Sequence, residues 1–557
     1  NCYPLPHNMD AIAFAPDARS VFVGFTTDDK TYRIDIATGK TLQTFRHAGE
    51  YNSVTGIRKL LLNKDGSVLM TADDYGRVRW WNTVTGKETA ESSVQRGRIN
   101  GMIMMPGSTQ MITCGGESAF ADTTIKFTDI LTRKVAQTLN GHSNSPSSIA
   151  VNSEGTFLFS GSYDRTVKLW DISTGKALAT MVFFGGTDWV VVDNEGRFDG
   201  TEEGMKKMYY VKGLEVMPLE SAYEQFYTPN LLPRIMEGEK FTPPAIDVNT
   251  LKAAPTVKIS LTDQQRNLSV EDDIASYNSN KDQVTIKVQA DCPTDGVTEI
   301  RLFQNGKLVE TTRNLVVEEE NTSKESVVKT FTVKLNQGAN NFKAIAFNTQ
   351  RTESKPAEIF ITYKPASNVQ PVYAGITLHL MVVGINNYKN SKYTLNYAKA
   401  DATSFKEQLE KSNAVFSKVN VHFITDADAL KGNIEATFKK VAKEAKPHDL
   451  FIFYYAGHGV MSMEAKNKEF YIVPYDVTQL YGAEDALAQK GISGSELQEF
   501  SKNIPAQKQL FILDACQSAG ALDAVAMRGA AEEKAVAQLA RSTGTHWLTA
   551  SGSEQFA

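Results

Sequence analysis

Phe451-Ile452-Phe453-Tyr454-Tyr455-Ala456-Gly457-His458-Gly459 and, further along, Phe511-Ile512-Leu513-Asp514-Ala515-Cys516-Gln517-Ser518-Ala519-Gly520 decide how this chain reads. Each is an apolar run of strand length that closes on small residues and one reactive side chain. Runs that are apolar on both faces belong to parallel sheets covered by helices, and α/β proteins carry their chemistry at the carboxyl ends of such strands. A His and a Cys at neighbouring strand ends supply a base and a nucleophile, the minimum for acyl transfer through a thioester.

The surroundings fit that sheet. Leu378-His379-Leu380-Met381-Val382-Val383-Gly384 reads as a strand, 398–412 as a helix, 419–424 as a strand and 430–445 as a helix, before the two strands bearing His458 and Cys516. This alternation predicts a mainly parallel sheet with helices on both faces. Gly457 and Gly459 flank His458, which predicts a sharp backbone turn that exposes the imidazole.

The His and Cys motifs resemble those of the caspase-like cysteine peptidases, including metacaspases and the bacterial members that carry WD repeats. The resemblance implies that His458 is the base and Cys516 the nucleophile, with the backbone N–H groups of Gly459 and Cys516 facing the oxyanion. Caspases hold an aspartate of the substrate with paired arginines, one of them at the position of Asn396. Metacaspases use acids instead, and both positions are acidic here, Asp401 and Asp514. A carboxylate pair at a pocket floor attracts Arg or Lys before the scissile bond. Taken alone, Asp401 is equally an acid at a helix N-terminus and Asp514 a structural hydrogen-bonder. Two positions depart from metacaspases: Ala456 where they have Ser, and Gln517 where they have His. The Ala- and Gly-rich segment 519–545, with Arg528, Lys534 and Arg541, occupies the place of the loop that many caspases cut in themselves, and Arg528 is the candidate self-cleavage residue. The run after His458 is poor in carboxylates, so no metal site is expected, and no cofactor.

Upstream, Gly141-His142, Phe157-Leu158-Phe159-Ser160-Gly161-Ser162-Tyr163-Asp164 and Val167-Lys168-Leu169-Trp170-Asp171 resemble a WD repeat, which implies a hydrogen-bonded chain through His142, Ser160, Asp164 and Trp170. Weaker copies of the frame recur upstream at roughly forty-residue spacing, giving about four propeller blades before residue 180. Short alternating runs within 257–363, with the Asn305-Gly306 hairpin turn, predict an immunoglobulin-like β-sandwich. The expected organisation is therefore a WD-repeat β-propeller and following segment at 1–215, a proline-bearing linker at 216–256, the sandwich at 257–363, a second linker at 364–375 and a caspase-like α/β domain at 376–557. The chain is expected to be incomplete, lacking blades before Asn1 and a strand and helix after Ala557.

With 557 residues the chain is too long for one core. A net charge of -5 gives no reason to expect nucleic acid as a partner, and no apolar run is long enough to span a bilayer. Four cysteines, Cys2, Cys114, Cys292 and Cys516, are too scattered for a disulfide framework or a zinc site. The expected activity is a cysteine endopeptidase acting on a protein or peptide substrate, with an unknown protein partner on the propeller. The alternative is an interaction scaffold with a degenerate caspase-like domain. The sandwich module and the missing start Met lean toward an exported or cell-envelope protein of a bacterium.

Overall fold

The computed structural model describes residues 9–25, 29–47, 56–116, 122–212, 215–262, 275–309, 317–323, 325–365, 375–411, 416–462, 469–480, 484–516, 537–538 and 540–549. They fall into two compact units, one of residues up to Gly196 with Gly200–Gly204, the other of Arg197–Asp199 and residues from Met205 on.

The first unit contains four consecutive four-stranded antiparallel sheets, starting at Met9–Phe14, Ile57–Leu62, Ile99–Met104 and Pro146–Val151. The last is prolonged by Trp189–Asp193. Neighbouring sheets bury apolar faces against each other: Ala11, Phe22 and Phe45 meet Ile57, Leu69 and Trp81, and Ile112 and Phe127 meet Leu158 and Trp170. Serial face-to-face stacking of such sheets fits a WD-repeat propeller.

In the fourth sheet a polar chain crosses the blade. Asp164 can only accept, so the hydrogen on His142 Nδ1 points to it at 2.8 Å. His142 Nε2 then accepts from Ser160 Oγ at 2.7 Å, and Ser160 Oγ accepts from Trp170 Nε1 at 2.7 Å. Burial favours the neutral imidazole this ordering needs and lowers the pKa of His142. Burial would raise Asp164, but Thr166, His142 and the N–H groups of Thr166 and Ser143 hold it at about 2.

In the second unit, two sheets share one core. Thr256–Leu261, Gln283–Asp291, Ser326–Lys334 and Val317–Ser323 form one, and Ala275–Ser279, Ala357–Tyr363, Gly338–Asn348, Val297–Gln304 and Lys307–Leu308 the other. Ile286, Val288 and Phe331 from the first meet Leu302, Phe342 and Ile361 from the second. Asn305 and Gly306 both take positive φ, 52° and 89°, as a tight two-residue hairpin demands.

The stretch 216–256 is more ordered than its prolines suggest. Glu215–Pro218 pairs with Tyr209–Lys212, and Leu219, Ala222, Tyr223, Phe226 and Leu231 are buried. Pro233 lies in the first turn of the helix Leu231–Met236, where a missing N–H costs nothing.

The last part is a mixed sheet. Its parallel strands are β1 (Thr377–Gly384), β2 (Lys418–Thr425), β3 (Leu450–Met461), β4 (Lys508–Cys516) and β5 (His546–Thr549), in the order β2-β1-β3-β4-β5. Two short antiparallel strands, Phe470–Ile472 and Ile492–Ser493, extend from β3. Helix α1 (Ala398–Glu410) covers one face with Ala402 against Leu380, Val382 and Tyr454. Helices α2 (Lys431–Glu444) and α3 (Gly494–Asn503) cover the other, where Phe438 and Leu497 meet Phe453 and Phe511. Burial on both faces explains why β3 and β4 read as unbroken apolar runs.

The sandwich grips this domain through its Asn305-Gly306 hairpin. Asn305 and Asn336 both donate to Gln507 Oε1, at 2.7 and 2.6 Å, and Lys307 Nζ donates to the Ile504 carbonyl.

Breaking the blade's polar chain has a readable cost. Trp170→Phe, which removes the indole donor and trims a buried ring, is expected to cost about 1–2 kcal/mol, and His142→Ala about 3–4 kcal/mol because it empties a buried ring position and both Ser160 and Asp164 lose a partner. Calorimetric unfolding of the full chain checks this; equal losses would show that the chain does not act as a connected network.

Candidate active site

Strands β3 and β4 run parallel without a bulge, from Leu450 opposite Lys508 to His458 opposite Cys516. Positions 458 and 516 are therefore register partners on adjacent strands, at the carboxyl end of the sheet. One step down, Asp514 stands beside Ala456, and Ala456 beside Gly384 of β1. Gln517 and Arg528 lie outside the described residues.

His458 is held on three sides. Its Nε2 is 2.7 Å from the carbonyl oxygen of Tyr393. A carbonyl only accepts, so Nε2 carries the hydrogen and Nδ1 of the neutral ring keeps the lone pair. The backbone N–H of His458 donates to the Tyr388 hydroxyl at 2.8 Å, and the Tyr455 hydroxyl donates toward the His458 carbonyl at 2.8 Å. The Tyr388 ring lies 4.8 Å from the imidazole. Burial raises the Tyr388 hydroxyl to about 12 and raises that of Tyr455 as well, so both remain protonated around neutrality.

The flanking glycines have another reason than the one expected. His458 lies inside a continuous strand and is 1% exposed, and neither Gly457 nor Gly459 takes a positive φ. What a side chain would meet is protein. A Cβ on Gly457 would lie 2.7 Å from the hydroxyls of both Tyr388 and Tyr455, and one on Gly459 2.8 Å from Phe470 and 3.1 Å from Ala515. Gly457 lets two tyrosines, and Gly459 lets Phe470 and Ala515, close around His458 rather than expose it.

The two acids stand on different elements. Asp514 accepts from the Tyr454 hydroxyl at 2.9 Å, and Asp401 is exposed in the first turn of α1. Phe405, one turn after Asp401, stacks on Tyr454 with centroids 4.4 Å apart, so one face of α1 leads toward the strand row of Asp514. The helix can come this close because Gly384 has no side chain: a Cβ there would be 2.6 Å from that of Ala402.

The loop between β1 and α1 carries the residues that sequence reading missed. Asp426, itself at φ 46°, accepts the N–H groups of Asn386 and Asn387 at 2.9 and 3.0 Å and the Lys399 ammonium at 2.8 Å. Asn386 in turn donates to the Asn396 carbonyl and accepts from the Lys399 N–H. The loop that delivers Tyr388 and the Tyr393 carbonyl to His458 is thus tied down at both ends. A backbone carbonyl leaves no signature in sequence, because any residue can provide it.

With this geometry in view, two stretches of the chain match known families. Residues 378–555 match the caspase domain family. Residues 133–171 match the WD domain, G-beta repeat. A "Probable protease" of a Desulfuromonadales bacterium is 28% identical over 156 residues, 25% of this chain and 18% of that protein. Transcription factor unc-37 of Caenorhabditis elegans is 27% identical over 151 residues, 26% of this chain and 24% of that one. Autophagy-related protein 16 of Arabidopsis thaliana is 21% identical over 213 residues, 37% and 41% of the two. The chain thus spans less than half the length of each of these relatives. Among solved structures, that of U3-55K aligns with a TM-score of 0.28 and 14% identity over 39% of this chain and 70% of that one, too weak a likeness to argue from.

Asp426 gives the site a pH dependence. Burial would raise its carboxyl, but the Asn387 N–H, Lys399 and the Asn386 N–H hold it below the ordinary value. A depressed folded pKa means that its stabilisation is complete above about pH 4, the unfolded value, and is lost as pH falls through the folded one. Asp426→Asn is expected to cost about 1–3 kcal/mol at neutral pH. Urea unfolding across pH should show wild type and variant converging in acid; a constant gap would mean that the charge is not what matters.

Proposed function

We propose that the chain is a cysteine endopeptidase that works through His458 and Cys516 and cuts after Arg or Lys. The observation that carries this reading is the register pairing of positions 458 and 516, together with an imidazole whose Nε2 is committed to the Tyr393 carbonyl. The match of residues 378–555 to the caspase domain supports the same chemistry.

In the proposed reaction, His458 Nδ1 takes the proton from Cys516 Sγ, and the thiolate attacks the scissile carbonyl carbon. The carbonyl π pair moves to oxygen, and the N–H groups of Gly459 and Cys516 stabilise the charge that develops there. The imidazolium, steadied by the Tyr393 carbonyl, returns its proton to the leaving amine as the C–N bond breaks. Water, deprotonated by the same nitrogen, then hydrolyses the thioester, and the thiol is regenerated. Asp401 and Asp514 form the floor that takes the basic side chain. The sandwich, read as immunoglobulin-like, acts as a spacer, and the propeller docks a protein partner. Cleavage of the chain after Arg528 belongs to the same specificity.

The relatives aligned with this chain include proteins that are not proteases by name, which supports a second reading in which the chain is an interaction scaffold.

Peptides that differ only in Arg, Lys or Asp before a fluorogenic leaving group separate the two. The first two are expected to be cut, with Cys516→Ala losing about a thousandfold or more in turnover. Asp514→Asn is expected to lose about ten- to a hundredfold in kcat/KM on the basic peptides. Cleavage only after Asp would overturn the acidic pocket, and silence of the folded wild type on all three would favour the scaffold.

A further inference from the structure

Tyr397 is 74% exposed, more than any other large apolar side chain described in the domain that bears His458. Its position is nevertheless well fixed. It caps α1, and its carbonyl accepts the Asp401 N–H at 2.9 Å. The residue before it is held by Asn386, and four residues upstream the Tyr393 carbonyl holds the imidazole at 2.7 Å. The aromatic ring is therefore presented to solvent from an anchored stretch of backbone.

The direction of the helix face says what it stands beside. Asp401 and Phe405 stand four residues apart on one face of α1, and Tyr397, the N-cap, lies one turn before Asp401, to whose N–H its carbonyl is bonded, so the line is prolonged to it. At the buried end of that line, Phe405 stacks on Tyr454, whose hydroxyl donates to Asp514. The line thus runs from the strand row of Asp514 past Asp401 to an exposed aromatic ring. Two carboxylates and a ring are complementary to one side chain in particular. A guanidinium offers N–H edges to carboxylates and a flat, weakly hydrated face to an aromatic ring, whereas an ammonium is a compact, strongly hydrated charge.

We infer that Tyr397 is a specificity residue whose ring lies against the guanidinium of the substrate, so that arginine is preferred to lysine before the scissile bond. The inference rests on the endopeptidase reading above and narrows it.

The test measures kcat/KM on a matched pair of peptides, Arg or Lys before the leaving group, for wild type, Tyr397→Ala and Tyr397→Phe. Wild type should prefer Arg. Tyr397→Ala should lower the Arg-to-Lys ratio about fivefold, mainly through KM for the Arg peptide. Tyr397→Phe, which keeps the ring, should keep the ratio. An unchanged ratio in Tyr397→Ala, or a wild type that prefers Lys, overturns the inference and leaves the endopeptidase reading standing. A folded wild type that cuts neither peptide overturns both. Because the side chain is exposed, circular dichroism of the variants should match wild type; binding of the two peptides to Cys516→Ala, with and without Tyr397→Ala, reads the same preference without turnover.

Discussion

The parallel pairing of β3 with β4 is the constraint on which the rest of the domain depends. Nine consecutive pairs, Leu450 with Lys508 through His458 with Cys516, leave no slack between the two reactive positions. A one-residue slip would reverse the face of every side chain on one strand. That slip is blocked by packing: Phe451, Phe453 and Tyr455 lie in one core with Phe511 and Leu513, while Ile452, Tyr454 and Ala456 lie in the other with Leu510 and Ile512. Two cores, one under α1 and one under α2 and α3, thereby set the register of positions 458 and 516.

The strand pair sets the two reactive positions; the loop after β1 sets the imidazole. The sheet itself cannot orient an imidazole ring, since a strand fixes only the direction of Cβ. The Tyr393 carbonyl holds the ring, Tyr388 and Tyr455 hold the His458 backbone, and these two hydroxyls fit because position 457 is glycine. The hydroxyls of Tyr388 and Tyr455 are buried and stay protonated, which keeps them neutral hydrogen-bonding groups beside His458. Asp426 anchors the loop from β2's far end, so that three elements of the sheet contribute to one side chain's geometry.

Much of this was legible in the chain. The apolar runs of β1, β3 and β4 announce buried strands, the WD frame announces its blade, and the reactive residues stand at the ends of recognisable runs. The misses share one cause: they are relations between distant backbone segments. The Tyr393 carbonyl is anonymous, and the glycines around His458 look the same whether they permit a turn or make room for tyrosines. The prolines of 216–256 suggest a bare linker, yet what decides is that Leu219, Tyr223 and Phe226 find a surface to bury against. Ala275–Ser279 carries no strong strand signal and exists as a strand because it pairs in parallel with Ala357–Tyr363.

The hairpin grip of the sandwich bears on the same register. Gln507, held by Asn305 and Asn336, immediately precedes β4, and Ile504, held by Lys307, ends the turn out of α3. A half-buried polar side chain at such a junction is best satisfied while its partners are present, since one left alone keeps part of the desolvation cost without the bond. The start of the strand that ends in Cys516 is therefore specified from outside its own domain. The sandwich in this respect supports the strand that carries Cys516, and separating it would remove three donors from Gln507 and the Ile504 carbonyl.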